Sequence, residues 1–281
     1  MIPILDTHQH LIVPELMPYS WTNGKAQLAN QTFGIAEYLR ASAGTGIERT
    51  IFMEAMPDDK SAEAPFVTDL AARKDSIIQG VIAHYPCENA GVEAYLDEIA
   101  HPKLVGLRRI CHVEPDEFSQ QPRFVENVRR LAKMNLTFDL CFAAHQLPLA
   151  ANLARACPDV QFVLDHCGNP DIANGEWDSW RANIRQLAQL PNVTCKISGV
   201  LAYCKPDEAN TVTVRPYVEA CLESFGWNRV VWGSDWPVCN LTTTLAQWVE
   251  TSREIVRGAS QGEQRQRFAG NAERIYLKRE V

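Results

Sequence analysis

The sequence predicts a single-domain (β/α)8 barrel, also called a TIM barrel, over residues 1–281. Short apolar segments alternate with longer segments of helical periodicity, a pattern typical of a parallel sheet covered by helices. Eight such units of roughly 35 residues fit the 281-residue chain, which favours a closed barrel over an open sheet. No composition break, low-complexity tract or internal repeat indicates a second domain.

Eight apolar segments are predicted to be the strands. The first is the apolar segment at residues 2–5, which is followed directly by polar residues. The other strands are expected at residues 49–55, 77–83, 104–107, 136–143, 160–164, 193–197 and 230–232. They are short and bounded by polar or turn residues, as expected for buried parallel strands.

Helices are predicted between these strands. They are expected at residues 35–43, 61–74, 91–100, 122–134, 149–157, about 178–190, 212–225, 243–257 and 261–277. Ser61 is a candidate N-cap with Glu63 in the first turn, and Pro122 suits a first helical turn. The polar stretch 14–31 is long for a connector, which is typical of a functional loop.

The bulk properties exclude several classes of protein. A net charge of −7 lacks the basic footprint of a nucleic-acid-binding protein, and no apolar run is long enough to span a membrane. The N-terminus has no signal-peptide pattern, so a cytoplasmic protein is expected. Nine cysteines without a Cys-x-x-Cys pair indicate buried thiols in a reducing compartment.

His8 and His10 follow the first strand and are two residues apart. Along a strand such residues point to the same side. Two adjacent imidazoles can bind one divalent metal ion or polarise a carbonyl oxygen. A pair of surface histidines is the alternative for this short motif taken alone.

Ionisable residues collect at the C-terminal ends of the predicted strands. They are His8, His10, Glu54, His84, Arg108, Arg109, His145, Asp165, His166, Lys196 and Asp235. The C-terminal ends of barrel strands meet on one face, where barrel active sites lie. The pattern therefore predicts one active site on that face.

Five stretches of the sequence stand out as motifs. They are Leu5-Asp6-Thr7-His8-Gln9-His10, Gly106-Leu107-Arg108-Arg109, Leu164-Asp165-His166-Cys167-Gly168-Asn169-Pro170, Cys195-Lys196-Ile197-Ser198-Gly199 and Trp232-Gly233-Ser234-Asp235-Trp236-Pro237-Val238. These stretches resemble the amidohydrolase superfamily, and within it the sugar-lactonase branch. The resemblance implies a hydrolase that acts on a ring ester. Arg108 and Arg109 stand where bimetallic members have a bridging ligand, which favours at most one metal ion. His145 lies where the branch often has a glutamate.

The resemblance and the chemistry together suggest a mechanism. Asp235 is expected to act as general base on water. His8, His10 and His166 are expected to polarise the carbonyl, directly or through a metal ion. One divalent ion, with zinc as the expected metal, would be held by His8, His10, Asp235 and His166. Metal-independent catalysis is the alternative, because the branch includes members that work without metal.

The remaining candidates are expected to bind substrate. Arg108 and Lys196 are cations suited to a hydroxylated lactone and its carboxylate product. For Arg109 an exposed position or a bridge to Glu114 is an equal alternative. Trp21 and Trp236 are expected as apolar walls, with core packing as the alternative. The set of candidates is completed by His145 and by four weaker ones, Glu54, His84, His112 and Tyr85.

The expected partner is a small-molecule sugar lactone, with neither nucleic acid nor membrane, and a homo-oligomer is compatible with the sequence. Two other functions stay open. A metal-dependent decarboxylase of the same superfamily shares the His-x-His motif and an aspartate that corresponds to Asp235. A non-catalytic sugar-acid binding protein would need the cations and tryptophans, but not Asp235 with His8 and His10.

Overall fold

The computed structural model describes residues 1–277, and its eight strands form one parallel sheet in the order β1 to β8. The strands are β1 (Ile4–Gln9), β2 (Ile47–Met53), β3 (Ile78–His84), β4 (Leu104–Ile110), β5 (Thr137–Cys141), β6 (Phe162–Leu164), β7 (Val193–Ser198) and β8 (Val230–Gly233). Each strand pairs with its sequence neighbour. The predicted (β/α)8 barrel is therefore confirmed.

The barrel closes where β1 meets the segment after β8. The Asp235 N–H donates to the His8 carbonyl at 2.7 Å. The buried Asp6 carboxylate accepts the Ser234 N–H at 2.7 Å and the Tyr38 hydroxyl at 2.6 Å. These bonds join the first strand, the last strand and the first helix at one point.

The helices lie between the strands, close to their predicted positions. They are α1 (Ile35–Ser42), α2 (Glu63–Ala72), α3 (Val92–Glu98), α4 (Pro122–Arg130), α5 (Leu147–Ala156), α6 (Trp177–Ala188), α7 (Thr211–Phe225), α8 (Leu245–Ile255) and α9 (Gln261–Arg265). Two π-helical turns, Gln266–Gly270 and Glu273–Leu277, continue α9. Within residues 1–277, no helix combines the length and apolar character needed to cross a membrane.

The predicted cap of α2 is wrong. This helix begins at Glu63 without a side-chain cap. The Ser61 hydroxyl instead donates to the Asp59 carboxylate at 2.7 Å. A serine hydroxyl readily takes such a local partner in a turn, and this competes with helix capping.

Two apolar layers hold the barrel. The larger one packs the outer faces of the strands against the helices. The smaller one fills the barrel interior with Leu5, Ile51, Val163 and neighbouring residues, together with Tyr276 from the C-terminal helix. Because this layer occupies one end of the barrel, the opposite end is left for polar side chains.

Candidate active site

His8 and His10 project from the end of β1, with His8 inside the strand and His10 just beyond it. The Nδ1–H of His10 donates to the Met53 carbonyl at 2.9 Å. His8 Nδ1 faces the Asp165 carboxylate at 3.4 Å. Burial lowers the pKa of His8 well below its usual value, so its imidazole is neutral at pH 7.

Asp235 lies between these two imidazoles. Its Oδ1 is 3.3 Å from His10 Nε2 and 3.7 Å from His8 Nε2. The backbone of Asp235 is left-handed, with φ 57°, and a Cβ on Gly199 would lie 2.2 Å from the carboxylate. Only glycine fits at position 199, so this turn after β7 makes room for Asp235. The structure thus brings together three residues from opposite ends of the sequence.

His166 follows β6 and joins the same group. Its ring centroid lies 4.4 Å from that of His8, and its Nδ1 is 2.9 Å from the Ser198 hydroxyl and 3.8 Å from Asp235 Oδ2. Burial lowers the pKa of His166. This imidazole is therefore also neutral, and Ser198 fixes its orientation.

A pocket of about 230 Å³ opens beside this group. It is lined by His10, Trp21, Ala55, Met56, Arg108, Ile110, His112, Cys141, His166, Tyr203, Asp235 and Val238. The Trp21 indole N–H donates to the Ala55 carbonyl at 2.8 Å, which fixes the ring. The pocket combines a carboxylate, imidazoles and apolar walls in a space suited to a small molecule. His8 is fully buried and does not line it.

Five ionisable residues form a layer deeper in the barrel, called here the inner charge layer: Glu54, Arg108, Asp139, Asp165 and Lys196. Lys196 has no exposed surface, and its Nζ lies 2.5 Å from Asp139 Oδ2 and 2.9 Å from Asp165 Oδ1. The prediction that Lys196 binds substrate is corrected, because both carboxylates hold it outside the pocket. Burial would raise the pKa of Asp165, but Lys196, His8 and Arg108 together outweigh this and hold it well below its usual range.

Arg108 reaches the pocket, but its guanidinium is already engaged. Its Nε donates to Glu54 Oε1 at 2.9 Å, its Nη2 to the Glu54 carbonyl at 2.6 Å and its Nη1 to Asp165 at 3.2 Å. The expectation that Arg108 binds the carboxylate product is therefore corrected. Glu54 has no exposed surface and acts as the partner of Arg108, not of a substrate.

Four other predicted substrate contacts lie outside the pocket. Arg109 bridges Glu114 at 2.7 Å, the alternative considered above. His145 is 66% exposed beside Asp116. Trp236 packs against aromatic core residues, and His84 is buried at the end of β3. These four expectations are corrected. Trp236 and His84 are buried, His145 points into solvent, and Arg109 is held in an ion pair.

Sequence reasoning assigned no role to Ser198 or Tyr203. Ser198 is two residues from Lys196 on β7, so the strand period could have placed both on the barrel interior. Tyr203 ends a single 3-10 turn after β7, which is too short for a periodic signal to identify it. Its hydroxyl donates to the Asn169 side chain at 2.5 Å. Cys141, also missed, lies 3.3 Å from His112 Nδ1 at the pocket wall.

A family model described as Amidohydrolase matches residues 5–278. The chain belongs to the amidohydrolase family. This amidohydrolase is 28% identical over 239 residues to an L-fucono-1,5-lactonase from Burkholderia ambifaria, covering 84% of this chain and 81% of that protein. An L-rhamnono-gamma-lactonase from Scheffersomyces stipitis is 24% identical over 72% of this chain and 70% of its own. A zinc-bound Burkholderia multivorans amidohydrolase has the same fold, with TM-score 0.90, 24% identity and coverage of 99% and 100%.

The donor set of this amidohydrolase fits a divalent metal ion. One ligand atom each from His8, His10 and Asp235 lies within 4.8 Å of the other two. Because His10 Nδ1 donates to a carbonyl, the lone pair of a neutral His10 lies on Nε2, facing the Asp235 carboxylate at 3.3 Å. Two acceptors at this distance need a cation between them. Either a shared proton or a metal ion supplies it.

Proposed function

We propose that this amidohydrolase opens the ring ester of a sugar-acid lactone with water and releases the free hydroxy acid. The observation that carries the proposal is the position of Asp235, a carboxylate between two imidazoles at the wall of a small pocket. The similarity to two sugar lactonases supports the substrate class. A general base beside a site for one carbonyl is what lactone hydrolysis needs.

In the first step, Asp235 takes a proton from a water molecule. The water oxygen attacks the lactone carbonyl carbon, and the carbonyl electron pair moves onto its oxygen. The hydroxyl of Ser198 lies 2.9 Å from His166 Nδ1. When Ser198 donates there, the Nε2–H of neutral His166 is left to stabilise the developing oxyanion.

In the second step, the ring carbon–oxygen bond breaks. The leaving alkoxide takes the proton that Asp235 received, so Asp235 serves first as base and then as acid. The new carboxylic acid ionises in solvent. His8 is a positioning residue in this scheme, because it is fully buried and faces Asp165 and Asp235 without lining the pocket.

Substrate recognition is assigned to the other walls of the pocket. Trp21 offers an apolar face to the sugar ring, while Tyr203 and His112 are polar groups facing the same space. A sugar ring can stack on the apolar face, and its hydroxyls can form hydrogen bonds with the polar groups. The edge of Arg108 faces the pocket as a fixed positive charge near the carbonyl.

A divalent ion is the second part of the proposal. His8, His10 and Asp235 would hold it, with His166 beside them, and it would act as a Lewis acid on the carbonyl. Metal analysis of the purified chain, with rates measured before and after chelation, tests this part. One bound ion and a loss of rate on chelation support a metal. A metal-free chain with unchanged rates indicates a shared proton instead.

The decisive experiment is an acid-release assay against a panel of aldono-1,4- and 1,5-lactones, with one dicarboxylic lactone included. Hydrolysis of at least one sugar lactone with kcat/KM of about 10⁴ M⁻¹ s⁻¹ or more is expected. Release of carbon dioxide from an aromatic acid without lactone opening would indicate a decarboxylase. Calorimetric binding of sugar acids without any turnover would indicate a binding protein.

A further inference from the structure

A second group of metal-binding side chains lies on the helix-facing side of the sheet. Cys167 follows β6, Cys195 lies in β7 and Cys221 lies in α7. All three residues have no exposed surface, and their sulfurs lie within 4.8 Å of one another. Lys196 faces the barrel interior, so the preceding Cys195 points away from the pocket.

These three cysteines differ from the other six in the described chain. Each of the other six sulfurs has a nitrogen or oxygen partner, as Cys157 has in the Val125 carbonyl at 3.5 Å. The other five are Cys87, Cys111, Cys141, Cys204 and Cys239. The sulfurs of the cluster have no nitrogen or oxygen partner within residues 1–277 and lie close to one another in the apolar core.

The buried Arg267 is the second observation. Its Nη1 donates to the Ser252 carbonyl at 3.0 Å, whereas its Nε and Nη2 have no partner among the described residues. No carboxylate within residues 1–277 forms an ion pair with it. A buried cation without a counter-charge is costly. Burial lowers the pKa of Arg267 to about 10, while Cys167 and Cys221 act in the opposite direction.

We propose that Cys167, Cys195 and Cys221 form a binding site for one soft divalent ion of the zinc group. The three thiols release three protons and bind the ion as thiolates. Three thiolates and a divalent ion carry one net negative charge, which the single positive charge of Arg267 balances. With metal–sulfur bonds of about 2.3 Å, three sulfurs would lie about 4 Å apart, within the separation of this cluster.

The site is separate from His8, His10 and Asp235 in chemistry as well as in place. Its ligands are all sulfur, which soft ions prefer, while the pocket offers nitrogen and oxygen. Cys167 is bonded to His166, and both have left-handed backbones with φ of 54° and 52°. A bound ion would therefore hold the turn that presents His166 to the pocket.

Cadmium-113 NMR of the full-length chain tests the proposal, because the shift separates sulfur ligands from nitrogen and oxygen ligands. The chain is produced in cells given cadmium, so that the ion is present as the buried site folds. One cadmium per chain in the all-sulfur range is expected. That signal should be lost in Cys195→Ala and in Cys221→Ala, and kept in the matched buried control Cys157→Ala.

The proposal is overturned if the folded wild type gives no sulfur-bound cadmium, or if the signal persists in Cys195→Ala. Circular dichroism shows whether each variant folds. If both cluster variants fail to fold, X-ray absorption spectroscopy of cadmium in the wild-type chain still tests whether the ion is bound by sulfur. A cadmium–sulfur shell supports the site, and a spectrum without any sulfur neighbour contradicts it.

Discussion

The pocket and the inner charge layer both consist of ionisable residues from strand ends, but their surroundings differ. In the pocket, the Asp235 carboxylate faces imidazoles and open space. In the layer below, Lys196 and Arg108 are each enclosed by two acidic residues and have almost no exposed surface. The first region can exchange protons with a ligand. The second mainly supports what lies above it, although the edge of Arg108 also faces the pocket.

The two regions should therefore respond differently to substitution. Loss of a pocket residue should reduce catalysis and leave the fold intact. Loss of a layer residue should first reduce stability, because its partners become unpaired buried charges. Asp165 connects the regions, since it contacts both Lys196 and His8.

The largest effect is expected for Asp235→Asn. The amide keeps the shape of the side chain but cannot accept the proton of water, so kcat should fall by about 10³-fold or more. The midpoint of thermal unfolding should stay close to that of wild type. Near-wild-type turnover of the best lactone by this variant would show that Asp235 is not the general base.

The next effect is expected for Lys196→Met, which leaves Asp139 and Asp165 without their shared cation. The free energy of unfolding should fall by about 3–5 kcal/mol, measured by urea denaturation. The exposed Lys205→Met is the control and should change it by less than about 0.5 kcal/mol. Unchanged stability of Lys196→Met would contradict the supporting role of the layer.

A smaller effect is expected of His84 on the pH dependence of folding stability. Burial lowers the pKa of His84 from 6.5 to about 4. Between these values the unfolded chain binds a proton that the folded chain does not, so stability falls as pH drops from 6.5 towards 4. This histidine should contribute a slope of up to about 1.4 kcal/mol per pH unit.

Urea unfolding at several pH values between 4.5 and 7.5 measures that slope. His84→Gln should make it shallower, whereas His145→Gln, at the exposed rim, should leave it unchanged. An identical slope in wild type and His84→Gln would show that the buried position does not hold a neutral imidazole.

The smallest effect is expected at His112. His112→Ala removes a polar group that lines the pocket but has no part in the proposed chemistry. KM should rise by about 10-fold or less, which corresponds to one lost hydrogen bond of about 1 kcal/mol, while kcat changes little. A large fall in kcat with unchanged KM would instead place His112 among the catalytic groups.

The sequence predicted the fold and the meeting of His8, His10, His166 and Asp235 for one physical reason. In a parallel barrel every strand ends on the same face, so position along the chain is enough to place these residues there. The roles of Lys196 and Arg108 could not be read in this way. Whether a cation faces a ligand or a buried carboxylate depends on depth within the barrel, which strand position alone does not give.

The two candidate tryptophans could not be told apart from the sequence. Trp21 lines the pocket and Trp236 packs in the core, although both lie in segments that follow strands. The two could be separated only by the path of the loop that carries Trp21. Tyr203 likewise depends on the turn after β7 and on its bond to Asn169.

The contact of β1 with the segment after β8 sets the order in which catalytic competence can arise. Asp6 and Ser234, whose bond closes the barrel, are 228 positions apart. While a ribosome is still making the middle of the chain, His8 and His10 have no carboxylate to face. Activity should thus emerge abruptly, after synthesis of the last strand, and partially synthesised chains would be inert toward any lactone they encounter.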